Sequence, residues 1–383
     1  MELLSGFGYN LVWFLVVLTV LVFVHELGHY WVARRNGIRV EVFSIGFGPE
    51  IFGFTDKADT RWKFSAIPLG GYVKMFGEAS VEGHAPHVMT PEEEAVSFNH
   101  KSLGARAAVV FAGPAANFLF AIVVLAGLFM IIGKPEAPSF QEAGIGGVLE
   151  QSAAAEAGML PGDRIRSIEG MPISSFNDLR EAVANSGGRA LQFEIERGGE
   201  NLILTVAPRL ETRTTEEGET SRYLLGVQAP GMQYERLGPI SAVWTAVTET
   251  GRLTVATLSA VGEIIVGDRG TDELGGPIRI AKMSGDFAEG GTIALISFMA
   301  LLSINLGLIN LFPIPMLDGG HLLFYAIEAV TGKPLNERAQ EYGLRIGLAL
   351  ILSLMVFVTV NDFIQPGTVE GRSLFEFFRD LFT

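Results

Sequence analysis

Four stretches of this chain are apolar over lengths that reach across a bilayer, about Tyr9–Trp31, Ala107–Ile132, Ile293–Phe312 and Leu344–Val360. A helix needs about 20 residues to cross the hydrocarbon core. Lipid offers backbone N–H and C=O groups no partner, so each stretch is expected to be helical. Composition agrees, with 49% apolar and only 18% charged residues, against about 25% charged in a soluble domain. Such a balance disfavours a cytosolic enzyme and a disordered chain. The net charge of −14 argues against nucleic acid as the main partner, because phosphate neutralisation needs clustered Lys and Arg. There are no cysteines, so disulfides, thiolate catalysis and Cys-bound zinc are excluded. Any metal must be held by carboxylates and the six histidines. The first span lacks the basic lead-in and small-residue cleavage site of a secretory signal, and is expected to be retained.

Orientation follows the basic residues that flank the spans. Arg34, Arg35 and Arg39 follow the first, and Lys101 and Arg106 precede the second. Residues 35–105 are therefore expected in the cytoplasm, and both termini and residues 134–291 outside. The divisions read 1–34, 35–105, 106–133, 134–212, 213–291, 292–320 and 321–383: span, cytoplasmic β region, span, soluble domain, linker with amphipathic helix, span, and last span with tail. The fold class expected is a membrane α-helical protein with four spans, β-hairpin elements in the cytoplasmic or re-entrant region, and an extracytoplasmic α+β domain.

That outer domain has local signals of its own. Leu191–Arg197 and Leu202–Ala207 read as strands around Gly198-Gly199, a hairpin turn. Ser174–Val183 reads as a capped helix. Ser152-Ala-Ala-Ala-Glu-Ala-Gly158 through Pro161-Gly162-Asp163 looks like the helix–turn–strand of a bacterial PDZ domain. Gly144, Ile145 and Gly146 lie where such domains bind a peptide C-terminus through converging backbone N–H groups. Residues 211–222 are polar and expected to loop. Pro239–Val266 reads as an amphipathic helix, expected under the soluble domain or at the membrane surface.

The chemistry-bearing residues are His25-Glu26-Leu27-Gly28-His29, at the end of the first span. Positions i and i+4 share a helix face, so both imidazoles can reach one zinc ion, and Glu26 beside them can act as a base without ligating it. Three such groups in an apolar span are costly unless mutually satisfied, and usually functional. A catalytic zinc site needs a third ligand. Asn310-Leu-Phe-Pro-Ile-Pro-Met-Leu-Asp-Gly-Gly-His321 follows the third span, and its prolines interrupt helix there. Asp318 is the leading third ligand and His321 the alternative. His84, His87 and His100 fall in a polar loop and read as solvated.

Taken together, these motifs, with Phe111-Ala-Gly-Pro-Ala-Ala-Asn117 and Ser65–Met75, resemble the site-2 protease family of intramembrane zinc metalloproteases, and within it the bacterial RseP-like group. The resemblance spans nearly the whole chain. It departs in showing one PDZ unit, where some members carry two. It implies an inner-membrane endopeptidase with its active site towards the cytoplasm, Zn2+ on His25, His29 and Asp318, and Glu26 as catalytic base. Implied substrates are transmembrane segments of single-span proteins, such as anti-sigma factors and remnant signal peptides. Gly70, Gly71 and Tyr72 would offer a strand edge to an unwound substrate, and Asn310, Pro313 and Pro315 would handle its freed backbone. Ser44–Pro49 is expected to dip into the membrane, and Asn117 to support the site or simply pack. A non-catalytic PDZ-bearing scaffold with structural zinc is the alternative, against which Glu26 weighs; a metal transporter would need more intramembrane carboxylates.

Overall fold

The computed structural model describes residues 2–78, 89–136, 143–215, 218–228, 233–270 and 275–364. His84, His87 and the tail beyond residue 364 lie outside the described residues. Four described helices have the length and apolarity to cross a membrane, at Gly8–Arg35, Leu103–Ile131, Thr292–Asn310 and Arg338–Asp362. Each expected span is thus a helix; the first and fourth extend at both ends and the second at its start, while the third stops at Asn310, two residues short of Phe312.

The chain divides into two compact units, residues 1–131 with 237–382, and residues 132–236. In the first unit, α1 (Glu2–Arg35) leads into two long antiparallel strands, β1 (Val40–Thr55) and β2 (Arg61–Met75). Residues 42–45 of β1 face both 71–74 and 61–64 of β2, while 50–55 face 61–65. The strands therefore bend back on themselves. Gly46 and Gly48, at φ of +87° and +86°, supply the left-handed backbone for that bend. Phe47, Ile51, Phe52 and Leu69 stand exposed around it.

The helix α2 (Pro91–Val96) precedes α3 (Leu103–Ile131), which is the scaffold of the unit. Gly28 of α1 lets the two helices come close: a Cβ there would lie 2.3 Å from the Ala112 carbonyl oxygen and 2.7 Å from Ala116 Cβ. Small residues let apolar helices pack in lipid, where burial against water drives nothing.

The second unit holds strands β3 (Lys134–Glu136), β4 (Ala143–Gly144), β5 (Gly147–Val148), β6 (Arg164–Ile168), β7 (Met171–Pro172), β8 (Leu191–Arg197), β9 (Glu200–Val206), β10 (Arg209–Thr215), β11 (Gly218–Leu224), β12 (Val227–Gln228) and β13 (Gln233–Glu235), with helices α4 (Ala153–Glu156) and α5 (Phe176–Ala184). Its main sheet runs β4-β6-β8-β9, with β7 on β6. Alternate residues Leu191, Phe193 and Ile195 point into a core shared with Ile165, Leu179 and Val206. Ser175 and Asp178 form the capping box that starts α5. Asp163, 1% exposed, accepts from Arg197 Nε at 2.6 Å and Nη2 at 2.7 Å, tying the turn before β6 to the end of β8.

One expectation is corrected here. Residues 211–215 and 218–222 are not a loop; they belong to the paired strands β10 and β11, which match Arg209 with Leu224 through to Thr215 with Gly218. Their Thr residues suit strands, but no apolar alternation announces them.

In the first unit the chain resumes with α6 (Pro239–Val266), α7 (Pro277–Glu289), α8 (Thr292–Asn310), α9 (Asp318–Thr331) and α10 (Glu337–Ile364). The helix α6 has the expected limits. Its Ala242, Ala246 and Leu253 pack with Leu125 and Phe129 of α3 and Leu301 of α8, so a face of mostly small residues meets the second and third spans, while the larger apolar residues Val243, Val247, Leu258 and Ile265 stay exposed.

Candidate metal centre

The two imidazoles of α1 lie side by side as their spacing requires, with Nε2 atoms 3.2 Å apart. Asp318 opens α9, and its Oδ2 lies 3.1 Å from His25 Nε2 and 3.6 Å from His29 Nε2. Its arrival there depends on close backbone packing. Met316 takes φ +87°, and Leu317 N–H bonds to the Ile314 carbonyl at 3.0 Å, so the Pro315-containing segment turns sharply back. Gly319 and Gly320 then let α9 start directly against that segment. A Cβ on Gly319 would lie 2.2 Å from the Phe312 carbonyl oxygen, and one on Gly320 2.4 Å from that of Ile314. Behind the turn, Gly347 of α10 leaves room for Pro315, whose carbonyl oxygen a Cβ would meet at 2.0 Å.

Three electron-pair donors thus converge. Asp318 Oδ2 is buried and makes no hydrogen bond of usable geometry despite the nearby nitrogens. Such an orphaned buried carboxylate oxygen is costly. A cation resolves it, and the spacing suits zinc: ligands bound at 2.0–2.1 Å in a tetrahedron sit about 3.3 Å apart, against the 3.1, 3.2 and 3.6 Å here. Among the described residues these three form the one such cluster of possible metal ligands. His321 is outside it. One turn along α9 from Asp318, its ring faces Phe324 edge-on at 6.2 Å. His100 is on the surface, 3.1 Å from Ser97 Oγ.

The second span frames the histidines. His29 Nδ1 lies 2.8 Å from the Val109 carbonyl oxygen, and donates to it, which leaves Nε2 unprotonated towards Asp318. Asn117, 0% exposed, places Nδ2 3.1 Å from His25 Nδ1. Between them, Gly113 meets both rings: a Cβ there would stand 2.3 Å from His29 Nε2 and 2.8 Å from His25 Cε1. Neither the Val109 carbonyl nor the wall formed by Gly113 was foreseeable as part of the site. The one available signal was a glycine kept within an apolar helix, where it costs about 1 kcal/mol against alanine.

Glu26 is part-buried on the neighbouring face of α1. Gly71 passes beside it, a Cβ there lying 3.1 Å from Glu26 Cγ and 2.7 Å from the Ser44 carbonyl oxygen. Gly70 and Tyr72 flank that approach; Gly70 takes φ +109°, and the Tyr72 ring stacks on Phe47 at 6.0 Å. Residues 71–74 pair with β1 on one side and carry no described strand on the other. Asn310 closes α8, and Pro313 lies between it and the turn at Pro315. In the second unit, the N–H of Ile145 bonds to the Asp163 carbonyl at 2.8 Å and that of Gly146 to Gln228 at 2.8 Å. Those two donors are spent within the unit, contrary to the expectation of free N–H groups at 144–146 converging on a peptide terminus.

The sequence model of peptidase family M50 matches residues 13–354. A protein of Agrobacterium fabrum named as a zinc metalloprotease is 46% identical over 369 residues, covering 94% of this chain and 97% of its own length. One of Rhizobium meliloti under the same name is 43% identical over 369 residues, with 94% and 98% covered. The regulator of sigma-E protease RseP of Salmonella typhimurium is 33% identical over 449 residues, with 93% and 98% covered.

Proposed function

Because the chain belongs to peptidase family M50, the site-2 protease family, and is a membrane zinc metalloendopeptidase, we propose that His25, His29 and Asp318 are its zinc ligands, with Glu26 as general base. The single observation that carries this is the convergence of Asp318 Oδ2 on the two Nε2 atoms, with a fourth polar side chain, Glu26, left over on the same turn of helix. A purely structural site would have no use for that carboxylate, so the scaffold alternative is set aside.

Bound zinc supplies Lewis acidity to water and to the scissile carbonyl. Glu26 takes the proton from the attacking water and delivers it to the leaving amine nitrogen, a role worth about 10²–10⁴-fold in rate. Apolar helices around the centre keep bulk water from competing for these charges.

The substrates we assign are transmembrane segments of single-span proteins, of the anti-sigma-factor type, with remnant signal peptides as a second class. A helical segment hides its carbonyls in i→i−4 bonds, and freeing them in lipid costs several kcal/mol per group. The unpaired side of Gly71 and Tyr72, with Gly70 leading into them, supports a role in receiving the unwound segment as an added strand, beside Glu26. Asn310, Pro313 and Pro315, where α8 gives way to irregular backbone, would hydrogen-bond and guide it. Residues 134–212 would serve as a PDZ-type outer module, and basic flanks orient both termini to the periplasm of an inner membrane, with the centre towards the cytoplasm.

The test is reconstitution in lipid with a single-span peptide already trimmed of its outer domain. Wild type should cut it, chelation should stop it, and Glu26→Gln should keep its zinc and lose turnover. Cleavage by a zinc-loaded Glu26→Gln variant would contradict the assignment.

A further inference from the structure

Val109, Gly113 and Asn117 recur at i, i+4 and i+8 on α3, and this stripe lies along His29 and His25 of α1. The first fixes its histidine with an unambiguous acceptor. The last does not: an Asn side chain offers both an NH2 and an oxygen of nearly equal size, and the hydrogen-bond network decides which of them faces the ring.

As drawn, Asn117 Nδ2 donates to His25 Nδ1 across 3.1 Å. Nδ1 must then be the bare nitrogen, and the ring proton sits on Nε2, directed at the donor cluster. A nitrogen so protonated cannot ligate a metal. In the same orientation Asn117 Oδ1 is buried without a partner. Rotating the amide by about 180° exchanges two atoms of nearly equal size and moves nothing else. Oδ1 then accepts from His25 Nδ1–H, and Nε2 is freed towards Asp318 and His29. Either orientation makes one hydrogen bond to His25, so that contact does not choose between them. The tautomer of His25 does.

We propose that Asn117 is a positioning residue that selects the metal-binding tautomer of His25, its side-chain oxygen accepting from Nδ1–H whenever zinc is held. This rests on His25 being a ligand. Two features make Asn117 suited to the task. It is fully buried, so water does not compete for Nδ1. Its own backbone carbonyl accepts from Ser303 Oγ of α8 at 2.9 Å, which fixes the height of the side chain on α3. Ligating histidines generally donate their other ring N–H to such an acceptor, and losing it weakens metal binding 10–100-fold. An amide suits a site that loads and unloads its ion, because either end can satisfy the imidazole.

The experiment is competition for zinc between a calibrated chelator and full-length protein in detergent, for wild type, Asn117→Leu, Asn117→Asp and His25→Ala. Asn117→Leu keeps the branched outline, somewhat enlarged, and removes the acceptor; its zinc affinity should fall 10–100-fold with the zinc-free protein still folded. Asn117→Asp keeps an acceptor and should hold zinc within a few-fold of wild type. Wild-type affinity in Asn117→Leu, beside loss in His25→Ala, would overturn this inference and leave the ligand assignment standing. Wild-type affinity in His25→Ala would remove the assignment itself. Should either Asn117 variant fail to fold, 15N-histidine NMR of the zinc-loaded wild type decides: Nδ1 protonated and Nε2 bound is expected, and the reverse refutes the proposal.

Discussion

Replacing Gly113 with alanine should empty the metal centre while leaving α3 intact. Away from any site, this change in a helix interior is favourable by about 1 kcal/mol, and the backbone here is ordinary helix. The new methyl, however, would lie 2.3 Å from His29 Nε2, 2.5 Å from His29 Cε1 and 2.8 Å from His25 Cε1. Ordinary non-bonded contacts need about 3.5–4.0 Å, so the rings must retreat by about 1 Å. His29 is held from behind by the Val109 carbonyl and His25 by Asn117, and zinc tolerates ligand displacements of only about 0.2 Å. The donor triangle cannot survive both demands. Zinc affinity should therefore fall at least about 100-fold, close to 3 kcal/mol, while the zinc-free variant stays folded and loses little stability, because an overpacking cost of about 1–3 kcal/mol is partly offset by the helix gain. Chelator competition with zinc counted per chain, and thermal unfolding of the stripped proteins, measure the two halves separately. A Gly113→Ala protein that binds zinc as tightly as wild type would refute the reading of this glycine as the wall of the site.

Gly319→Ala should also cost zinc, because its methyl would meet backbone oxygens of Leu311 and Phe312 at 2.3 and 2.2 Å. Unlike a side chain, these cannot swing aside, so Asp318 must move; wild-type zinc stoichiometry in that variant would disprove the account of α9 placement. In the second unit, Asp163→Asn should destabilise by about 2 kcal/mol, since it breaks a charge-assisted pair with Arg197 at a carboxylate with 1% exposure. Hydrogen exchange across β6 and β8 reads the loss. Burial raises the Asp163 carboxyl, but Arg197 and the Leu160 N–H outweigh it, so its pKa lies below the ordinary value. A depressed folded pKa means the pair stabilises fully above about pH 4 and loses that contribution as pH falls through the lower folded value. Protection in β6 and β8 should drop across that acid window in wild type, and the drop should be absent in Asp163→Asn.

What the sequence determined by itself was local in origin. Hydropathy marked the four spans because lipid requires apolar length, whatever the partners. The i, i+4 spacing put His25 and His29 on one face because a helix repeats every 3.6 residues, and the Ser175 capping box and the Gly198-Gly199 turn were written in adjacent residues. The β10–β11 hairpin escaped notice because its strands lack apolar alternation, the period-2 signal on which strand reading depends. The rest needed the assembled fold. Asp318 could be nominated but not delivered, since its approach depends on carbonyls of Leu311, Phe312 and Ile314 pressing against two glycines. Gly113 and the Val109 carbonyl carry no chemical signature in a sequence. A missing side chain and a backbone oxygen become parts of a metal site only when another helix packs against them at contact distance, and that distance is a property of the tertiary structure alone.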